Sequence, residues 1–369
     1  MFRGKQILQI RKGGTTRVNP LYASQKLYEH YEHIQEVKHY YGLLAIYALL
    51  QTAEEKRDPI LLDKAKSILS RFPDRIAHPA YNFPSYRIGG NPKAYALMQD
   101  YMPEAEAQVR EYAEEMLTAP RDRQGIMSMP SAPEKELIWI DVATAVTPYL
   151  LFAGLALGDQ RYIDEAANQT FLMYETFLDP GNGLLHQSKN FAAPGKFSED
   201  HWGRGNGWGY FPLAELVRHL PGDSIHRPRA ERYFKALSAA LLPHQSERGL
   251  WRQEIPLEYS YEETSGTGLI LYGMGVGLRT GLLDRDTYFP VFRKGVLGLN
   301  ELSINEDFST ELSCPGCLCP GEGAEKGTVK AYVTLKLPYR DEPHSFGPLM
   351  LALVEAYRNG IHDLPSESR

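Results

Sequence analysis

Two stretches of this chain gather residues able to do chemistry. In the first, His201-Trp202-Gly203-Arg204-Gly205-Asn206-Gly207-Trp208, two indoles, a guanidinium, an imidazole and an amide crowd together. Indoles present flat apolar faces that suit sugar rings, a guanidinium presents a planar fork for a carboxylate, and glycines let the backbone come close to a ligand. A helix-like run from Phe211 to Leu220 follows. The stretch therefore reads as a loop opening into a helix with polar groups aimed at a ligand, against the alternative of an aromatic-rich turn that only packs. The second is Asp141, in Trp139-Ile140-Asp141-Val142-Ala143-Thr144. Ser131-Ala132-Pro133-Glu134 has the form of a capping box, which predicts a helix running on through Leu157, kinked or split at Pro148, with Asp141 well inside it. A carboxyl among apolar neighbours there resists ionisation and becomes a proton donor near neutral pH. Pinned by hydrogen bonds, it is only structural.

Other candidates lie at junctions. His186 follows the turn Gly183-Leu184-Leu185, and His344 sits in Asp341-Glu342-Pro343-His344-Ser345-Phe346-Gly347. Glu263-Thr264-Ser265 opens a helical run in which Glu263 serves first as a cap and second as a ligand contact. Cys314, Cys317 and Cys319 contain one C-x-x-C unit, but a structural zinc wants a fourth ligand and none is near. Their odd number argues against a disulfide framework, so they read as ordinary thiols in a Pro/Gly-rich loop. The glycines 203, 205 and 207 follow no strand and form no dinucleotide fingerprint. No P-loop, His-Glu-x-x-His or Gly-x-Ser-x-Gly elbow occurs.

The elements that must position these groups are helices in pairs. Apolar residues recur at helical spacing over 36–52 and 58–72, 92–101 and 104–118, 160–178 after the Asp141 helix, 206–220 and 227–242, 263–283 and 284–302, and a final 346–359. Residues before about 35 read as an irregular lead-in with one short helix, Pro79, Pro84 and Gly89-Gly90 mark a loop, and Tyr332 to Leu335 reads as a short strand. Similar turns recur as Arg123-Gln124-Gly125-Ile126, Gly181-Asn182-Gly183-Leu184 and Glu247-Arg248-Gly249-Leu250. Such repetition signals an array of hairpins. An open solenoid needs polar caps; six hairpins fit better as an all-α (α/α)6 toroid, a single domain over 1–369, with loops at one end building the site.

Composition agrees with an ordinary soluble domain: 369 residues, 43% hydrophobic and 23% charged. A net charge of −6 leaves no nucleic-acid footprint, and no apolar run is long enough to span a membrane. Met1 to Gly14 is basic without the apolar core of a secretory signal, so the expected location is cytoplasmic.

The chain resembles the unsaturated rhamnogalacturonyl hydrolases, within the wider group of unsaturated uronyl hydrolases. The residues that carry the likeness are Trp139-Ile140-Asp141, Gly183-Leu184-Leu185-His186, His201 to Trp208, Glu263-Thr264-Ser265-Gly266-Thr267 and Glu342-Pro343-His344-Ser345-Phe346-Gly347-Pro348, in family order over more than half the chain. The resemblance implies a six-hairpin toroid that hydrates the double bond of a 4,5-unsaturated uronic acid left by a polysaccharide lyase, a rhamnogalacturonan-type disaccharide first among substrates. It makes Asp141 the general acid and base. His186 orients water or touches substrate, Arg204 meets the uronate carboxylate or, with Asn206, a sugar hydroxyl, Trp202 and Trp208 wall the ring, and Ser265 and His344 lie on the rim. It implies no metal or organic cofactor and no partner beyond a small oligosaccharide. Two positions depart from the family pattern. Gly89-Gly90-Asn91-Pro92 lacks an acid usual there, and Gly125-Ile126-Met127-Ser128-Met129 lacks a histidine. The alternatives are an inverting glycosidase with Glu263 or Glu342 as second carboxylate, an epimerase using His186 and His344, and a non-catalytic sugar-binding toroid.

Overall fold

Helical runs that are apolar on every side alternate along this chain with runs whose apolar residues form one stripe, and that alternation sets the architecture. The structure, a computed structural model, describes residues 16–73 and 83–366. Met1 to Gly14 and Pro79 lie outside them. Strand β1 (Thr16–Val18) leads into α1 (Pro20–Ile34), α2 (Tyr40–Lys56), α3 (Pro59–Leu69), the single turn α4 (Pro84–Arg87), α5 (Gly90–Met98) and α6 (Glu106–Leu117). Then come β2 (Ile138–Trp139), α7 (Val142–Leu157), α8 (Gln160–Phe177), β3 (Ser188–Lys189), α9 (Gly203–His219) and α10 (Arg227–Leu241). The chain finishes with α11 (Thr264–Arg279), α12 (Arg285–Leu302), α13 (Val329–Leu335), α14 (Phe346–Arg358) and β4 (Leu364–Ser366).

Helix α7 buries every residue from Val142 to Gly154, and α9 every residue from Gly203 to Val217. Only a central position can accept such a surface. By contrast α10 buries Ala230, Phe234, Leu237 and Leu241, one stripe at helical spacing. The inner helices close a ring: α2 packs on α5, α5 on α7, α7 on α9, α9 on α11, α11 on α14, and α14 back on α2. Behind them stand α3, α6, α8, α10, α12 and α1. This is the (α/α)6 toroid, and the contact of α14 with α2 removes the open solenoid.

The structure corrects several local expectations. The lead-in is not irregular: α1 is a full helix, started by Asn19, whose side chain accepts from the Leu21 N–H, and it packs on α14 as the sixth outer helix. The capping box at Ser131 does not start a helix. A short 3-10 turn at Pro133–Lys135 is followed by β2, whose pairing with β3 takes Ile138 and Trp139 out of helical geometry. Helix α7 therefore begins at Val142 and runs unbroken past Pro148. Thr328 caps α13, so Tyr332 to Leu335 are helical and not a strand. The glycine-rich stretch is not a loop either, since α9 already starts at Gly203.

Glycines set two features. The recurring turn glycines 125, 183 and 249 have φ of 87°, 77° and 99°, a region costly for other residues. Gly266 faces the backbone of Gly203, where a Cβ would come within 2.5 Å, so α9 and α11 touch at their first turns.

The opposite, C-terminal ends of the inner helices share a buried ionic network. Glu215 accepts from Tyr47 at 3.0 Å and from Tyr272, Arg218 donates to Gln51 at 3.1 Å, and Glu355 meets Arg279 at 3.1 Å and Arg358 at 2.9 Å. Burial pushes both carboxyls up, but their cationic and hydroxyl partners prevail and hold them below the ordinary range. A depressed carboxyl contributes stability above its unfolded pKa and loses it as pH falls through the folded one. Removing one member leaves a buried charge without its partner. Glu215→Ala is accordingly expected to cost about 3–5 kcal/mol in urea denaturation at neutral pH, with the gap from wild type narrowing as the medium is made acidic.

Candidate active site

The first turns of α2, α7 and α9 border a cavity of about 290 Å³, just under the range for small-molecule sites, which starts at about 300 Å³. Helix N-termini carry partial positive charge, so this end of the ring favours an anion. The wall is mainly aromatic: Tyr40 from the start of α2, Phe83 and Tyr86 around α4, Trp139 from β2, Trp202 just before α9 and Trp208 within it. Residues 316–318 close one side, and among the described residues Asp141 and Arg204 are the charged groups in the lining.

Asp141 owes its place to the β2–β3 pair. The Ile140 N–H donates to the Gln187 carbonyl at 2.8 Å, which fixes the chain just before α7, and Asp141 is the residue preceding that helix. It is thus at a helix N-terminus, not inside a helix as expected, and its side chain makes no capping bond. Half-buried, it opens on the cavity while its Oδ2 is enclosed without a hydrogen-bond partner. Burial raises its pKa to about 7; the Arg204 charge opposes the rise, as does Gln187, and Asp200 adds to it. Desolvation prevails over both the guanidinium and the helix dipole, leaving a carboxyl that carries and releases a proton near neutrality.

Arg204 lies in the first turn of α9, fully buried. It donates to Ser265 Oγ at 2.9 Å, to the Pro315 carbonyl at 2.8 Å and to the Cys314 carbonyl, and it stacks 4.4 Å over the Trp202 ring. Its Nε is enclosed without a partner, as are Nε1 of Trp202 and Nε1 of Trp208. Together with Asp141 Oδ2, four enclosed polar atoms without partners thus belong to residues of one cavity wall. Unpaired buried polar groups are costly, and a polar ligand in the cavity would satisfy them.

The remaining expected site residues support the wall from behind. Asn206 is not in the lining: its amide bonds the Leu185 N–H at 2.8 Å and the Leu185 and Trp202 carbonyls at 3.1 Å each, tying the preceding turn to α9. Ser265 is buried between Glu263 and Arg204. Glu263 caps α11 through the Ser265 and Gly266 N–H groups and also accepts from the Cys314 N–H. His344 stands behind Tyr40. Glu342 can only accept, so His344 donates from Nδ1 at 2.7 Å, and Nε2 accepts from the Tyr40 hydroxyl at 2.7 Å. Burial and the Arg204 charge lower the His344 pKa, in keeping with that neutral tautomer. His186 also lies outside the lining, bonded through Nδ1 to the Asp200 carbonyl at 3.0 Å. The three cysteines are free and buried, and Cys317 reaches the cavity. Tyr40, Phe83 and Tyr86 carry no site signal in the sequence, and Trp139 enters only as part of the motif around Asp141, because an aromatic side chain looks the same whether it faces a core or a cavity.

The model for Glycosyl Hydrolase Family 88 matches residues 17–360, and the chain belongs to that family. It is 31% identical over 176 residues to an unsaturated 3S-rhamnoglycuronyl hydrolase of Formosa agariphila, covering 44% of this chain and 47% of the relative. It is 26% identical over 171 residues to an unsaturated rhamnogalacturonyl hydrolase of Bacillus subtilis, covering 44% and 48%. The chain thus spans about half the length of these curated relatives in the matched regions. In fold it is similar to a possible member of the GH105 family from Klebsiella pneumoniae, with a TM-score of 0.79 at 19% identity over 96% of both chains. It is also similar to the unsaturated glucuronyl hydrolase of Bacillus sp. GL1, with a TM-score of 0.70 at 15% identity over 94% of this chain and 98% of the other. No helix among the described residues is long and apolar enough to cross a membrane.

The raised Asp141 carboxyl has a thermodynamic signature. A group whose folded pKa exceeds its unfolded value is at full stability below the unfolded pKa and loses that stability as pH rises through the folded one. Asp141→Asn is therefore expected to gain stability over wild type as pH rises from about 4 to about 8, read as a widening difference in urea midpoints. A difference that does not change with pH would show that the carboxyl titrates normally.

Proposed function

We propose that this family 88 chain removes a 4,5-unsaturated uronic acid from the non-reducing end of small oligosaccharides left by polysaccharide lyases, with Asp141 as general acid and then general base. What supports the reading is the pairing of one protonatable carboxyl with an aromatic wall. Among the described residues Asp141 is the one carboxylate in the cavity lining, and its pKa of about 7 lets it donate a proton and take one back near neutral pH.

A conventional inverting glycosidase needs a second carboxylate about 6.5–9.5 Å across the substrate. The candidates for that role are occupied elsewhere, Glu263 in capping α11 and Glu342 on His344. The epimerase alternative fares no better, since His186 and His344 are absent from the lining. Hydration of an enol ether needs one carboxyl. Protonated Asp141 delivers its proton to C4, and positive charge develops at C5 and the ring oxygen. The carboxylate then takes a proton from water as the hydroxyl adds to C5, which restores the acid. The hemiketal so formed opens, leaving a hemiacetal at C1 that expels the neighbouring sugar as its free alcohol. In this scheme Arg204 offers its free Nε and its charge to the uronate carboxylate, while Trp202 and Trp208 flank the ring and offer indole N–H groups to its hydroxyls. Tyr40, held by His344, borders the same space. A rhamnogalacturonan-type disaccharide is the first substrate to try, as both curated relatives above act, by name, on rhamnose-containing uronides.

The test is loss of the short-wavelength ultraviolet absorbance of the conjugated uronate in lyase digests of rhamnogalacturonan, pectin, ulvan and glycosaminoglycans. Wild type is expected to bleach at least one digest. Asp141→Asn should do so about 10²–10⁴-fold more slowly, and the wild-type rate should fall as pH rises past about 7, where the acid ionises. Failure on every digest removes the reaction; equal rates for the two proteins remove Asp141 from its role.

A further inference from the structure

Beside the Trp202 wall lies a cluster that the reaction above leaves unused. Asp179 follows the end of α8, His186 follows the Gly183 turn, and His201 precedes α9. One donor atom from each lies within 4.8 Å of the others.

The hydrogen bonds around the cluster assign its atoms. His186 Nδ1 lies 3.0 Å from the Asp200 carbonyl, which can only accept, so Nδ1 carries a proton and Nε2 of the neutral ring presents a lone pair. His201 Nε2 has two neighbours, Asp179 Oδ2 at 3.0 Å and Asn182 Nδ2 at 3.1 Å. The Asn182 amide cannot be turned over, because its Oδ1 accepts from the Leu184 N–H at 2.8 Å. Its NH₂ therefore faces His201. A lone pair on Nε2 suits Asn182 but opposes the carboxylate; a proton there suits Asp179 but opposes the amide. Neither neutral tautomer satisfies both neighbours. A bound cation lets the lone pair and the carboxylate face the same positive charge, and the Asn182 NH₂ must then turn to another acceptor, such as the carboxylate or water.

We propose that Asp179, His186 and His201 form a divalent-metal site, with zinc as the first candidate, which clamps the turn after α8 to the segment leading into α9. Two imidazole nitrogens and one carboxylate oxygen are a donor set for a borderline ion, with water completing the shell. The donors draw in around an ion with bonds of about 2.0–2.2 Å. The support behind them has the form seen behind metal ligands: a carbonyl holds His186 Nδ1, the Gly181 N–H holds Asp179 Oδ1 at 2.8 Å, and Glu254 stands 3.8 Å from His201 Nδ1. The His201 and Asp179 side chains are 12% and 27% exposed, so an ion can enter from solvent. The clamp acts on the wall and takes no part in proton transfer at Asp141. It holds or fails independently of the proposed reaction.

The test is titration of chelator-stripped protein with cobalt, read by its visible d–d absorption, and with zinc by calorimetry. One ion per chain is expected, with the spectrum of nitrogen and oxygen ligands. Asp179→Asn and His201→Gln should each weaken binding by at least about tenfold, with circular dichroism confirming that they fold. In wild type alone, zinc should slow diethyl pyrocarbonate labelling of His201. Absence of stoichiometric binding, a sulfur-to-cobalt charge-transfer band from the cysteine loop, undiminished binding by both folded variants, or labelling of His201 indifferent to zinc would each overturn the proposal.

Discussion

The buried guanidinium of Arg204 is the constraint on which the functional end of this ring depends. A charge in that position is tolerable only with dense hydrogen bonding. The carbonyls of Cys314 and Pro315, the Ser265 hydroxyl and the Trp202 ring supply it. These partners come from three pieces of chain, so holding Arg204 also fixes the 314–318 wall, the start of α11 and the Trp202 indole relative to one another. The close approach of Gly203 and Gly266 is what lets Ser265 reach it.

The same charge shapes Asp141. Had the guanidinium lain free in the cavity, it would hold the carboxyl ionised. Its bonds to carbonyls and a hydroxyl, together with the hold of Glu263 and Glu342 on its charge, leave desolvation as the larger influence on Asp141. The ring thereby separates two electrostatic regimes. At the C-terminal ends of the inner helices, carboxylates are kept ionised by Arg218, Arg279 and Arg358; at the N-terminal ends, one carboxyl is kept ready to be neutral.

The helix pairs and the ring were legible in the sequence because inner and outer helices differ in how many of their sides are apolar. The start of α7 was misjudged for a definite reason. The Ser131-Ala132-Pro133-Glu134 signal is local, whereas the β2–β3 pairing that overrides it joins residues about fifty positions apart, and no local pattern announces it. Helix α1 was undervalued because its partner α14 lies at the far end of the chain. Of the residues that type and family likeness point to, Asp141, Trp202, Arg204 and Trp208 line the cavity. Asn206, Ser265 and His344 came from the same motifs yet turn out to hold the wall from behind, because a motif records what a site needs without separating contact from support. Tyr40 and Tyr86 gave no signal apart from their neighbours.

Closure of the ring also bears on how the chain folds. Five of the six hairpins join helices that are successive in sequence, but the sixth pairs α1 with α14, and β1 with β4 fastens the same seam. During synthesis the growing chain is therefore an open arc in which α1 and one side of α2 wait for α14, made after the rest of the ring. Glu355 and Arg358, needed to complete the buried ionic network, arrive with that same final helix. Contacts of such long sequence separation are slow to form. The seam is thus both the last part of the wall to be laid and the step that turns a sequence of local hairpins into one cooperative body.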